Sequence, residues 1–89
     1  MTAYLITYDL NRPGKDYPEL YSAIKSLGAW WHYLDSTWLV ATSDTAVEIR
    51  DRLKRVVDDT DRILVIKLTS SWASYNLPSR AADWIRERV

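Results

Sequence analysis

Asp9 is the residue whose type and place most directly suggest chemistry. It closes an alternating run, AYLITYD over 3–9, and is followed by Asn11-Arg12-Pro13-Gly14-Lys15, a turn segment carrying two cations. In a two-fold dimer the two copies of Asp9 could approach one another, and a close pair of carboxylates is strained unless a proton or a cation sits between them. Mg²⁺ suits such a site, because it takes one or two carboxylates and keeps several waters, one of which could attack a phosphodiester. Asp9 is therefore the candidate metal ligand and catalytic residue. Arg12 and Lys15 flank it and are the candidate substrate contacts, able to neutralise phosphate charge. On spacing alone a second reading stays open, in which Asp9 caps the turn by accepting hydrogen bonds from backbone amides.

Ser36 lies in the Asp35-Ser36 break between two aromatic and β-branched runs. A turn role comes first for it, with orientation of water or phosphate as the functional alternative. His32 is the one histidine in the chain, so no histidine-based metal site can form within one copy, and packing among Trp30, Trp31 and Tyr33 is its expected use. The cluster Trp30, Trp31, Tyr33 and Trp38 could stack unpaired bases, although Trp and Tyr serve cores and interfaces equally well. Arg50, Arg52, Lys54 and Arg55 alternate with Glu48 and Asp51 and read as a salt-bridged solvated face. No Walker loop, dinucleotide fingerprint, zinc-ligand spacing or nucleophile elbow is present.

The composition bounds these readings. Eighty-nine residues make one domain, and 47% hydrophobic with 27% charged residues excludes a disordered or low-complexity chain. Twelve basic residues balance twelve acidic ones, so attraction to nucleic acid must come from a local patch rather than net charge. The absence of cysteine removes disulfide frameworks, thiolate metal sites and cysteine nucleophiles. A cytoplasmic protein with no membrane contact is expected, since neither a signal-like segment nor a long apolar run occurs.

The elements that must position Asp9 follow from periodicity. Tyr4, Ile6 and Tyr8 alternate with Leu5, Thr7 and Asp9 as in a strand. Asp16 and Glu19 have capping-box spacing before a helix over 17–27, with Tyr17, Leu20, Tyr21, Ile24 and Leu27 apolar and Gly28 as its stop. A hairpin of strands over 29–34 and 37–41 follows, then a helix opened by Thr45 and Glu48 and carrying Ala46, Ile49, Leu53, Val56 and Val57 on one face. ILVIKL over 63–68 is a fourth strand, and Pro78-Ser79 introduces a short helix with Ala81, Trp84, Ile85 and Val89 apolar. The order β-α-β-β-α-β is the split pattern of ferredoxin-like α+β folds, an antiparallel sheet with two helices on one face. Residues 1–69 form that domain, and 70–89 form a tail and short helix that pack on the same domain or on a dimer partner. Leu64 and Ile66 alternate with Ile63 and Val65, so the fourth strand is apolar on both faces. Side chains of that kind left in water favour a partner surface, and a homodimer joined through the open sheet faces or edges is expected, with a monomer whose C-terminal segment folds over that face as the alternative reading.

A first strand ending in Tyr8-Asp9, a helix closing on Leu27-Gly28, LDSTWLV over 34–40 and a last strand ILVIKL together resemble the second CRISPR-associated protein family, Cas-two, and the related VapD-type toxins. The resemblance covers roughly residues 3–68. It implies a homodimeric ferredoxin-like fold, with Asp9 in the place of the family's metal-binding catalytic aspartate and Ser36 in the place of its serine. It implies Mg²⁺-dependent nuclease activity on RNA or double-stranded DNA, or a non-catalytic scaffold role beside protein partners in a nucleic-acid-processing complex. Two features differ from the family. The first helix carries Lys25 where members have an arginine-rich helix, and no glutamine precedes Ser36. Small-molecule sensing in a dimer cleft lined by Trp and Tyr is a third reading of the same fold.

Overall fold

The computed structural model describes residues 1–11 and 17–89. Strand β1 (Thr2–Asp9) is followed by helix α1 (Pro18–Lys25), strands β2 (Ala29–Leu34) and β3 (Thr37–Thr42), helix α2 (Ala46–Leu53), strand β4 (Arg62–Lys67) and helix α3 (Ser79–Arg86). A 3-10 turn over Lys54–Val56 extends α2. The strands form one sheet in the order β2-β3-β1-β4, with β1 antiparallel to both neighbours. This is the ferredoxin-like α+β arrangement that the alternation of periods implies. No helix among the described residues is long and apolar enough to cross a membrane.

The period-2 pattern of β1 sorts its side chains as expected. Tyr4 and Ile6 join Leu20, Ile24, Trp38, Val40, Ile49 and Leu53 in a buried core between the sheet and helices α1 and α2, with Tyr8, Ile63 and Val65 packed against it. The opposite face is not left bare. Trp31 and Leu39 form a second core with Ala81 and Ile85 of α3, joined by Leu5, Leu68, Trp72, Leu77 and Trp84. The C-terminal segment therefore lies over the β2-β3-β1 side of the second face, and β3 is buried on both faces through most of its length. Trp31 ties the two together, since its indole Nε1 donates to the Ala81 carbonyl at 3.1 Å.

Several local signals act as read and several do not. Thr45 and Glu48 complete a reciprocal capping box at the start of α2. Asp16 lies outside the described residues, and α1 starts from Tyr17 without a side-chain cap. Gly28 is no helix stop: α1 ends on Ser26, whose amide donates to the Ser22 carbonyl, and the Leu27 amide donates to that of Ile24. Gly28 instead has φ of +155° where the chain turns into β2, and a Cβ there would overlap the Ala41 carbonyl oxygen of β3. The Asp35-Ser36 hairpin closes with neither residue at positive φ, so the primed turns that match strand twist are not used. A register shift between Trp31 and Leu34 takes up the difference. It also parts the aromatic run, because Trp31 meets Tyr33 while Trp30 and His32 meet Trp38.

Candidate functional site

Asp9 is exposed at the last position of β1, and its partner across the sheet is Arg62, the first residue of β4. The alternation that sends Tyr8 into the first core places Asp9, Thr7, Arg62, Leu64 and Ile66 on the second face, beyond the part covered by α3. Two shallow clefts meet at Asp9, one continuing to Thr7, Tyr8, Ile63 and Leu64 and the other to Leu10, Asn11 and Thr60. Arg62 lines both. No other acidic side chain lines either cleft among the described residues.

Ser36 comes to the same end of the sheet through its main chain. Its carbonyl accepts from the Tyr8 amide at 3.1 Å and from the Thr7 hydroxyl at 3.1 Å. The Thr7 hydroxyl also meets that of Thr37 at 3.2 Å. This clasp holds the hairpin against the end of β1, one residue before Asp9. The Ser36 hydroxyl has no partner among the described residues and stands in solvent. Arg12 and Lys15 lie outside the described residues. The flanks of their segment converge on Asp61, whose Oδ1 accepts from the Asn11 amide at 2.7 Å and from the Tyr17 hydroxyl at 3.3 Å. Asp61 Oδ2 accepts from the Asp58 amide at 2.8 Å, so one carboxylate staples the approach to β4 to both ends of the loop that follows Asp9.

No protein-family model matches the chain. The structure is similar to the crystal structure of a hypothetical protein from Thermus thermophilus, with a TM-score of 0.66 and 18% identity over 85% of this chain and 92% of that one. At that identity the shared property is the fold.

Behind the Asp9 end of the sheet the first face holds an aromatic array built on Trp38, which is 2% exposed. Its indole Nε1 donates to the Tyr8 hydroxyl at 3.0 Å. His32 stacks on it at 3.8 Å with an interplanar angle of 14°, and Tyr21 stacks from farther away at 6.0 Å. Burial pushes the Tyr8 phenol above its ordinary value, against the opposing pull of the Trp38 donor, with the neighbouring Tyr21 and Asp35 adding to the rise. The expected packing of His32 among Trp30, Trp31 and Tyr33 is not what forms: Trp31 and Tyr33 lie on the other face, and His32 is exposed. Its Nε2 donates to the Asp35 carbonyl at 2.7 Å, which satisfies the hairpin turn.

Among the described residues no group of three or more His, Asp or Glu side chains converges on a possible metal position. Asp9 is the one acidic residue lining the two clefts among the described residues. A Mg²⁺ that keeps most of its waters takes one or two carboxylates, and Asp9 supplies one. Two residues that matter here were not singled out from the sequence. Arg62 looks like the charged start of a strand until the register sets it opposite Asp9, and Asp61 looks like one more helix breaker in the run Asp58-Asp59-Thr60-Asp61.

Proposed function

We propose that the protein is a homodimer that uses Asp9 from each chain to bind Mg²⁺ and cleave phosphodiester bonds in RNA or double-stranded DNA, in the manner of the Cas-two and VapD-type proteins it resembles. The observation that carries this reading is the position of Asp9. It stands exposed on the second face beside Arg62 and a strip, Leu64 and Ile66, that α3 leaves uncovered. A two-fold axis through that strip would join apolar surface and bring the two carboxylates toward each other. The bound ion would supply charge neutralisation and a more acidic water. The chain's own residues would do the rest: Arg62 would hold a phosphate against the dimer, as would Arg12 and Lys15 of the following loop. The Ser36 hydroxyl, kept at the sheet end by the Thr7 and Tyr8 bonds to its carbonyl, would orient phosphate or water.

The test is cleavage of labelled single-stranded RNA and double-stranded DNA by wild type and Asp9→Asn, each with Mg²⁺ and with chelator. The expected result is metal-dependent cleavage that falls by roughly 100-fold or more in the variant. Equal rates in both proteins would overturn the nuclease reading.

A second reading is a non-catalytic dimeric scaffold that holds protein or nucleic-acid partners in a cytoplasmic complex. It is favoured by the balance of twelve basic against twelve acidic residues and by the single carboxylate at the Asp9 clefts. A dimer that forms normally while chelation and Asp9→Asn change nothing would select it.

A further inference from the structure

The second face contains a space that the Asp9 reading does not use. Between the sheet and the C-terminal segment lies a cavity of about 170 Å³. Leu5, Trp31 and Leu39 line it from the sheet, and Leu68, Trp72 and Leu77 line it from the segment that crosses over them. Among the described residues no charged residue lines it, and the hydroxyl-bearing residues on its wall are Thr37, Thr69 and Ser74. It is partly open to solvent, and its lining is more apolar than that of the clefts at Asp9. Apolar cavities of about 150 Å³ stay dry and admit a benzene-sized guest.

The wall of this cavity is also able to yield. Leu68 is the last residue held to the sheet, through its amide on the Ala3 carbonyl at 2.9 Å. The next backbone hydrogen bond along the chain is that of Ala81 to the Pro78 carbonyl at 2.9 Å. Between them the strand-free stretch 69–77 is held by side chains: Trp72 and Leu77 pack on the second core, and the Arg86 guanidinium lies over the Trp72 ring at 5.7 Å. Trp31, in contrast, is fixed by its bond to the Ala81 carbonyl. A rigid sheet wall and a strap attached only through side chains form an enclosure that can open without breaking a backbone ladder.

We propose that this cavity is a binding site for an uncharged aromatic molecule of one or two rings carrying at most one small polar substituent. The volume sets the ring count, the absence of charged lining sets the charge, and Thr69 and Ser74 of the strap supply hydroxyl-bearing residues for a single hydroxyl or ring N–H. The indoles of Trp31 and Trp72 offer aromatic edges and faces to such a guest. This site is independent of the proposed metal chemistry and stands or falls without it.

The test is titration of the full-length ¹⁵N-labelled chain with p-cresol, toluene and benzoate, following the indole N–H signals of Trp31 and Trp72. The expected result is saturable shifts with p-cresol and toluene at dissociation constants on the order of 1 mM, with benzoate at least about tenfold weaker. Ala73→Trp, which fills the space from the exposed strap, should abolish the shifts. Ser74→Phe serves as the second filling variant where the first does not fold. Absence of saturation up to the solubility limit of toluene would overturn the site. So would shifts centred on Leu64 and Ile66 that persist in a folded filling variant, and equal binding of benzoate would overturn the ligand class.

Discussion

Replacing Leu64 and Ile66 together by threonine should separate the proposed dimer while leaving each chain folded. These side chains are 53% and 48% exposed on β4, so about half of each is still in water in the single chain. Full burial of a Leu or Ile side chain contributes about 1.5 to 3 kcal/mol, which leaves about 0.75 to 1.5 kcal/mol per side chain to be gained on association. A two-fold interface counts each twice, so the four contribute about 3 to 6 kcal/mol, and at about 1.4 kcal/mol per tenfold this is a factor of roughly 10² to 10⁴ in the dimer dissociation constant. Threonine favours strands as well as the residues it replaces, and the first core, which holds Ile63 and Val65 rather than these two, is untouched. Sedimentation velocity between about 1 and 100 μM, a range that spans common dimer affinities, reads the effect directly. Circular dichroism and a denaturant titration should show a native fold at similar stability. A wild-type chain that remains monomeric at the highest concentration would refute the reasoning, as would a double variant with the same dimer affinity.

Trp31→Phe removes the indole donor that holds α3 through the Ala81 carbonyl; that carbonyl keeps its helical partner within α3, so the loss of one buried hydrogen bond should cost about 0.5 to 1.5 kcal/mol, measured as a lower urea midpoint. The capping box of α2 gives stability a pH dependence: the Thr45 backbone amide, then its hydroxyl, hold the Glu48 carboxyl below its ordinary value. A group depressed on folding stabilises the folded state above its unfolded pKa, so this contribution is complete near neutrality and is lost as pH falls through the carboxylate range. Glu48→Gln should flatten the acid side of the stability profile, and an unchanged acid limb would contradict the cap. Thr45→Ala should cost about 1 kcal/mol at neutral pH by thermal or urea unfolding.

Much of the architecture was legible because it rests on local periodicity. The alternation of Tyr4, Ile6 and Tyr8 against Leu5 and Thr7 needs only the strand repeat to assign faces. Thr45 and Glu48 need only three residues of spacing to cap a helix, and both occur as read. The double-faced apolarity of residues 63–66 also indicated a surface in need of cover. The C-terminal segment was one of two covers the sequence offered, beside a second copy, and it packs on part of that face; where it docks was not legible. The tail 70–89 read as amphipathic without a docking site, and the contact that seats it joins Trp31 to Ala81, fifty residues apart.

The sequence by itself determined the element order, the sorting of the first strand's side chains between two faces, the capping of α2 and the place of Asp9 at the end of the first strand. Tertiary structure alone decided that Arg62 stands opposite Asp9, that Asp61 gathers Asn11, Tyr17 and Asp58, and that Gly28 serves close approach to β3 rather than helix termination. It also decided that α3 covers one side of the second face and leaves a cavity beneath its strap. The division has one physical cause. Propensity, capping and side-chain alternation act over a few residues and are written in their spacing. Strand register and helix docking depend on which distant surfaces fill one another's volume, and no short stretch of chain encodes that.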